Sequence, residues 1–369
     1  VATGNIGEKA LNCKCISSSE TDLKRAANAL CEGRLVAFPT ETVYGLGAAI
    51  SHEEALRNVF SVKGRPFHDP LIIHITSLEM CEPYLNLSPS DLFLVETLAA
   101  AFWPGPLTLV LPAAEQLSRL VTGGGATVGV RFPAHPIAQK IIAAAGVPIA
   151  APSANRFGHV SPTCARHVEE DLGDADIYIV DGGSCAVGIE STVAKICGRG
   201  LVEVLRPGLI TQEALQAVLE PIGVGVSTRK RQYSEDAANQ EAPGQLLKHY
   251  APHVNAYIWR SCSDSTVEGR TVGPLSEVGL IDFFGTGIAY ADSVAQYMDL
   301  SKQGSLTEAC HALFGVLRMM ESHPKVRLIL MPDLGGSNDS LAKSLFDRIE
   351  RACCLRHAVI RDCSVLAVV

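Results

Sequence analysis

The sequence predicts an α/β fold in two domains, and three observations carry that prediction. Short apolar runs that read as strands alternate with segments whose apolar residues repeat at helical spacing. A polar stretch, Val226–Ala242, interrupts the pattern, which restarts at Val254. The chain has 369 residues, 47% of them hydrophobic, enough for two cores of usual domain size.

The elements follow in chain order. Thr21–Glu32 is predicted helical, with Leu23, Ala26, Ala27 and Leu30 on one face and Gly33 as its stop. Leu35–Phe38 reads as a buried strand. The segment after it, in FPTETVYGLG (Phe38–Gly47), reads either as a polar turn at a sheet edge or as a helix capped by Thr40 or Thr42. Glu53–Phe60, Leu92–Phe102, Pro136–Ala145, Cys164–Leu172 and Glu213–Leu219 are predicted helices. Pro70–Ile75, Leu107–Leu111, Thr127–Phe132, Val147–Ala151, Ile177–Asp181, Ser191–Ile196 and Val202–Leu205 are predicted strands. Residues 1–225 thus form one domain with a twisted mixed sheet and flanking helices. Residues 226–253 form a linker or lid, and residues 254–369 a smaller α/β domain. That second domain draws on the strands Ala256–Trp259, Val278–Phe284, Val326–Met331 and Val365–Val369, and on the helices Leu306–Met320 and Ser340–Cys353.

Composition excludes some classes of function. The formal net charge of −8 gives no general electrostatic grip on nucleic acid or anionic membrane. The 12 cysteines include no CxxC pair, so their spacing points to no zinc site, and no protein-held metal is expected. Unpatterned cysteines in a chain of this size suit a reducing compartment, here the cytoplasm. No apolar run approaches the ~20 residues needed to span a bilayer. Val1–Lys14 lacks the charged start and apolar middle of a signal peptide; with Val1 first rather than Met, a removed N-terminal segment stays open.

The candidate chemistry lies at strand ends, and each motif has a plainer structural reading. Lys63-Gly64-Arg65-Pro66 places two cations around a glycine, suited to a polyphosphate or simply a solvated turn. His74 in PLIIHI is a site residue or a satisfied core histidine. Thr122–Arg131, TGGGATVGVR, offers glycine backbone to an anion, or is a glycine-rich hairpin. Ala150–Asn155 (AAPSAN), Ser161-Pro162-Thr163, Gly188–Thr192 (GIEST) and Leu205–Gly208 (LRPG) supply hydroxyls, a carboxylate and an arginine, or serve as caps and turns. No Ser–His–Asp spacing and no HExxH occur. This inventory suits a small polar molecule plus a polyphosphate better than hydrolysis, because phosphoryl and adenylyl transfer need positioning and charge neutralisation more than a protein nucleophile. Phe284-Gly285-Thr286-Gly287 hints at a dinucleotide site or is a turn.

The order FPTETVYGLG, KGRP, PLIIHI, FWPGPLTLVL, VGVRFPAHPIA, VPIAAPSAN, SPT, DGG, GIEST and LRPG resembles the YrdC-like family. With KHYAP in the linker and a C-terminal α/β domain, the chain resembles the long members, the L-threonylcarbamoyladenylate synthases. The resemblance is dense over Asp22–Pro252 and looser beyond. It implies a YrdC-like mixed sheet and a Rossmann-like second domain. It also implies a nucleotidyltransferase: L-threonine, bicarbonate or CO2, and ATP give threonylcarbamoyl-AMP and pyrophosphate, with Mg2+ on the phosphates. Downstream tRNA threonylcarbamoyltransferase machinery would use the product; membrane and direct tRNA binding are not expected.

Carried over by motif position, Thr42, His74, Arg131, Ala151 and Ser191 would surround L-threonine, with Arg131 on its carboxylate. Arg65, Asp69, Thr127, Ser153, Asn155, Ser161, Arg206 and Tyr250 would face ATP, with Tyr250 closing over the nucleotide from the linker. Lys63 and Arg65 would be the catalytic cations. Glu41 and Tyr44 would only shape their turn. Asp69 departs from many relatives, which carry a neutral or basic residue there, and FDRIERA departs from their Asn-Arg pair. An alternative is an RNA-binding module of the same fold without synthase activity. The hydrogenase-maturing carbamoyltransferase with a YrdC-like domain is disfavoured by the missing CxxC pairs.

Overall fold

A computed structural model of the chain describes residues 11–198, 200–229, 241, 249–260, 269–361 and 363–368. In the first domain the strands are β1 (Lys14–Ile16), β2 (Val36–Pro39), β3 (Tyr44–Ala49), β4 (Ile72–His74), β5 (Leu107–Pro112), β6 (Thr127–Arg131), β7 (Ile149–Ala150), β8 (Tyr178–Val180), β9 (Thr192–Ile196), β10 (Leu201–Arg206) and β11 (Gly225–Thr228). Its helices are α1 (Glu20–Cys31), α2 (Glu53–Lys63), α3 (Pro89–Phe102), α4 (Arg119–Thr122), α5 (Pro136–Ala145), α6 (Ala165–Leu172) and α7 (Gln212–Leu219). Side-chain N-caps start several of them. Ser19, Ser88 and Thr211 accept from the backbone N–H of Asp22, Asp91 and Ala214, each cap contributing about 1 kcal/mol.

These strands join one mixed sheet in the order β1-β8-β2-β3-β7-β4-β6-β5-β9-β10-β11. The stretch after Phe38 is not a capped helix. It is a hairpin in which β3 runs antiparallel to β2, Val36 opposite Gly47 and Pro39 opposite Tyr44. All six residues of β3 are buried, so the strand shows no polar alternation in the sequence. Gly47 is required by close approach, since a Cβ there would meet the Phe38 ring at 2.6 Å and Ile149 at 2.9 Å. The polar stretch expected from Val226 begins instead as β11, parallel to Leu201–Val204 of β10.

The second domain holds β12 (Asn255–Trp259), β13 (Gly269–Pro274), β14 (Val278–Asp282), β15 (Gln296–Asp299), β16 (Leu328–Pro332), β17 (His357–Arg361) and β18 (Ser364–Val368). Their order is β13-β18-β17-β12-β16-β14-β15; the run from β17 to β15 is parallel, and β18 and β13 add antiparallel strands at one edge. Helices α8 (Leu306–Ser322) and α9 (Ser340–Ala352) pack on the face towards the first domain. One apolar cluster joins Val43, Val160 and Ile189 of the first domain to Tyr250, Leu313, Phe314 and Leu345. The two domains therefore share a buried core. No helix among the described residues is long and apolar enough to cross a membrane.

Candidate active site

The first sheet's strand ends and their connecting loops surround a cavity. Thr40 and Thr42 come from the β2–β3 turn, Arg65 follows α2, Ile72 and His74 lie on β4, and Arg131 ends β6. Ala151, Pro152 and Ser153 follow β7; Glu190 and Ser191 precede β9; Arg206 ends β10; His249 enters from the connection between the domains. In the β4–β6 ladder His74 is opposite Arg131, which fixes the spacing of these two groups.

Each cation is held by neighbours. The Arg131 guanidinium pairs with Glu41 at 2.6 Å, and the other Glu41 oxygen accepts from Ala134 N–H at 3.0 Å. Glu41 therefore does more than shape its turn: it orients Arg131 from behind. Arg65 pairs with Asp69 at 2.8 Å and donates to Pro70 O at 2.7 Å. That pair accounts for the unusual carboxylate, because Asp69 is neutralised by the cation in front of it rather than facing the cavity bare. Burial raises the Asp69 pKa and Arg65 counteracts it. Arg206 donates to Ser191 O and Ser191 Oγ, both at 3.1 Å, and forms no ion pair among the described residues. Ser191 Oγ also shares a hydrogen bond of 2.8 Å with Thr108 Oγ1.

The β2–β3 turn is locked by Thr40, whose Oγ1 donates to Val43 O at 2.6 Å and accepts from two backbone N–H groups. Thr42 is thereby presented to the cavity. Tyr44, also expected only to shape the turn, bridges to the Gly182-Gly183 bend by accepting from Gly182 N–H and donating to Gly183 O. Burial, and then the charge of Arg131, push the His74 pKa down to about 3, so its ring is neutral. Among the described residues Nδ1 of His74, Nδ1 of His249 and Oδ1 of Asn155 are buried without hydrogen-bond partners. Orphaned polar atoms in and around a cationic cavity are what a ligand site leaves open.

Several expected residues stand behind the lining. Lys63 is buried and donates to Ser153 O and Asn155 O, so it pins the loop that carries them. Burial, and then Arg65, lower its pKa to about 7. Asn155 donates to Arg156 O and His159 O, and Ser161 donates to Glu190 Oε1. Thr127 starts β6 opposite Pro112, at the far end of the strand from Arg131 and roughly 13 Å from it, outside the cavity lining. Tyr250 is fully buried with φ of 63°, its ring beside Phe314 and under Arg351 at 4.7 Å. His249, not Tyr250, reaches the cavity. Glu190 and His249 are lining residues with ionisable side chains that were not expected at the site. The carboxylate of GIEST and the imidazole of KHYAP were signals for them.

A second polar cluster lies between the domains. His159, His253 and Glu321 bring possible metal ligand atoms within 4.8 Å of one another. Both His159 nitrogens are already engaged, by Asp171 and Glu321 at 2.9 Å. The two rings stack at 4.1 Å, which sets their in-plane lone pairs side by side rather than converging. This arrangement is an ion-pair network, not a metal centre.

Fold and cavity together define a two-domain α/β enzyme whose mixed-sheet domain carries a cationic small-molecule site. Residues 28–208 match the Sua5–YciO–YrdC family model, described as telomere recombination, and residues 210–354 match the threonylcarbamoyl-AMP synthase C-terminal domain. The threonylcarbamoyl-AMP synthase of Pyrococcus abyssi is 39% identical over 336 residues, 90% of this chain and 94% of its own. That of Bacillus subtilis is 43% identical over 87% of this chain and 91% of its own. The crystal structure of P. abyssi Sua5 complexed with L-threonine superposes with a TM-score of 0.78 at 34% identity, covering 95% and 99% of the two chains. The chain belongs to the threonylcarbamoyl-AMP synthase family.

Proposed function

We propose that the protein makes L-threonylcarbamoyl-AMP from L-threonine, bicarbonate or CO2, and ATP with release of pyrophosphate, and that the threonylcarbamoyl-AMP serves a later tRNA modification. The observation that carries this reading is the convergence of Arg65, Arg131 and Arg206 with Thr42, His74 and Ser191 on one cavity. Arg131 faces the threonine carboxylate, and neutral His74 and Thr42 take its polar groups. The threonine amine adds to CO2 and loses a proton to give a carbamate. A carbamate oxygen then attacks the α-phosphorus of ATP, and pyrophosphate departs with the bond to the α-phosphorus. Arg65 and Arg206 offset the phosphate charge, and burial excludes competing water. Ser153 supplies a hydroxyl beside the nucleotide, Ser161 acts from behind the lining through Glu190, and Ala151 gives threonine an apolar wall. In this reading Lys63 acts by holding the Ser153–Asn155 loop, and Tyr250 by placing His249.

The cavity does not fit a protein-held Mg2+. Glu190 is the carboxylate among the described lining residues, and its two oxygens accept from Ser161 and Arg348. Mg2+ would arrive on the triphosphate oxygens with water ligands, and no step above is routed through it. The proposal also divides the chain at 225 and 254. It reads the second sheet as Rossmann-like, on the strength of its parallel run with α8 and α9 on one face, and places the protein in the cytoplasm.

Pyrophosphate release measured with single components omitted tests the function. Release is expected only with both L-threonine and bicarbonate present. Equal release with serine, or without bicarbonate, contradicts the assignment.

A further inference from the structure

The second domain reaches the cavity through one fully buried arginine. Arg348 lies on α9 with no exposed surface. Its Nε donates to Glu190 Oε2 at 3.3 Å, and its Nη2 to Glu190 O at 3.2 Å. Its Nη1 donates to Pro207 O and contacts Asp347 at 3.0 Å. One turn earlier, Ser344 Oγ donates to Gly208 O at 3.0 Å. Helix α8 braces the same loop from its other end. His311 Nδ1 lies 3.1 Å from Ala186 O, and a Cβ at Gly188, whose φ is 82°, would fall 2.5 Å from His311 O. Two loops of the first domain, 186–191 and 206–208, are thus gripped by two helices of the second.

Those loops carry cavity groups. Glu190 lines the cavity and holds Ser161 through its other oxygen. Ser191 directly follows Glu190, Arg206 directly precedes Pro207, and the two bond each other. Released from Arg348, the Glu190 carboxylate could turn to Arg206, which lines the same cavity and already feels its charge, and would cancel charge needed by a phosphate. The Arg348 guanidinium serves Glu190 Oε2, Glu190 O, Pro207 O and Asp347 from a rigid fork of five N–H groups, which the three donors of a lysine ammonium cannot match.

We propose that Arg348 is a positioning residue of the cavity, holding Glu190, Ser191 and Arg206 in register, so that the second domain completes the site. This rests on the synthase reading above. It goes beyond that reading by giving the second domain a defined part in turnover.

The test compares full-length Arg348→Lys with full-length Arg318→Lys. Arg318 joins the domains through Asp171, away from the cavity. Thermal stability, kcat, KM for ATP and amide exchange of segments 188–192 and 205–208 are measured for each. Arg348→Lys is expected to speed exchange in both segments and to lower kcat/KM for ATP on the order of 100-fold. Arg318→Lys is expected to lose stability while keeping wild-type kinetics and exchange in those segments. Glu190→Gln breaks the same ion pair from the other side and is measured alongside, in case the lysine variant does not fold; it too should lower kcat/KM and loosen the loops. Wild-type kinetics in a folded Arg348→Lys protein, or kinetic losses that match in the two arginine variants, overturn the proposal. A wild-type protein without threonine- and bicarbonate-dependent turnover would instead refute the synthase reading. Exchange in the two segments then decides on its own whether Arg348 fixes them.

Discussion

The cavity and the domain interface are both built from buried charge, yet they are balanced differently. At the interface the charged groups of the Asp171 network each face an opposite one, and Nε of Arg318 is the nitrogen of that network left without a hydrogen-bond partner among the described residues. Arg318 sits on both Asp171 oxygens at 3.1 Å, and His159 is held between Asp171 and Glu321. In the cavity, among the described residues, Arg206 has no carboxylate partner and two imidazole nitrogens have no hydrogen-bond partner. The comparison separates two uses of buried polarity. Balanced networks hold domains together, and unbalanced ones wait for a ligand.

Breaking the balanced network should have the largest effect. Arg318→Met leaves Asp171 buried without its guanidinium and should cost about 3–5 kcal/mol in denaturant unfolding. L-threonine affinity, measured by calorimetry on the folded fraction, should stay unchanged. Arg131→Ala also breaks a buried ion pair, with Glu41, but unlike Arg318→Met it should weaken L-threonine binding, on the order of 100-fold, while ATP affinity persists. Loss of ATP binding with threonine affinity intact would show the two subsites to be exchanged.

The interface also predicts a pH dependence. Burial opposes protonation of His159, but its hydrogen bonds to Asp171 and Glu321 prevail and raise its pKa from 6.5 to about 8. The protonated ring therefore contributes its full stabilisation below pH 6.5, and that contribution is lost as pH rises through about 8, a change of about 2 kcal/mol. His159→Gln should flatten the stability profile across that window. The smallest expected effect is Thr42→Val, which removes one hydroxyl and its buried bond to Thr40 Oγ1, and should weaken threonine binding and lower stability by about 1 kcal/mol each.

Much of the cavity was legible in the sequence because its residues sit in short motifs at strand ends. Thr42, His74, Arg131, Ala151, Ser153, Ser191 and Arg206 all line it. The two sheets were legible as a mixed α/β pattern, though not every strand was. β3 was hidden because YGLGAA is buried on both faces and has no polar alternation. β13, β15 and β17 have few fully buried residues to mark them. What the chain brings together over long separations was not legible either. Arg318 meets Asp171 across 147 positions, and Arg348 meets Glu190 across 158. Glu41 looked like a turn residue for the same reason, since its partner Arg131 lies 90 positions away.

A crystal structure of the protein with L-threonine tests the central contrast most directly. The account predicts threonine in the first-domain cavity, its carboxylate within about 3 Å of the Arg131 guanidinium, with the Arg318–Asp171–His159 network unaltered. Threonine bound at the domain interface, or bound with Arg131 making no contact to it, would contradict the account.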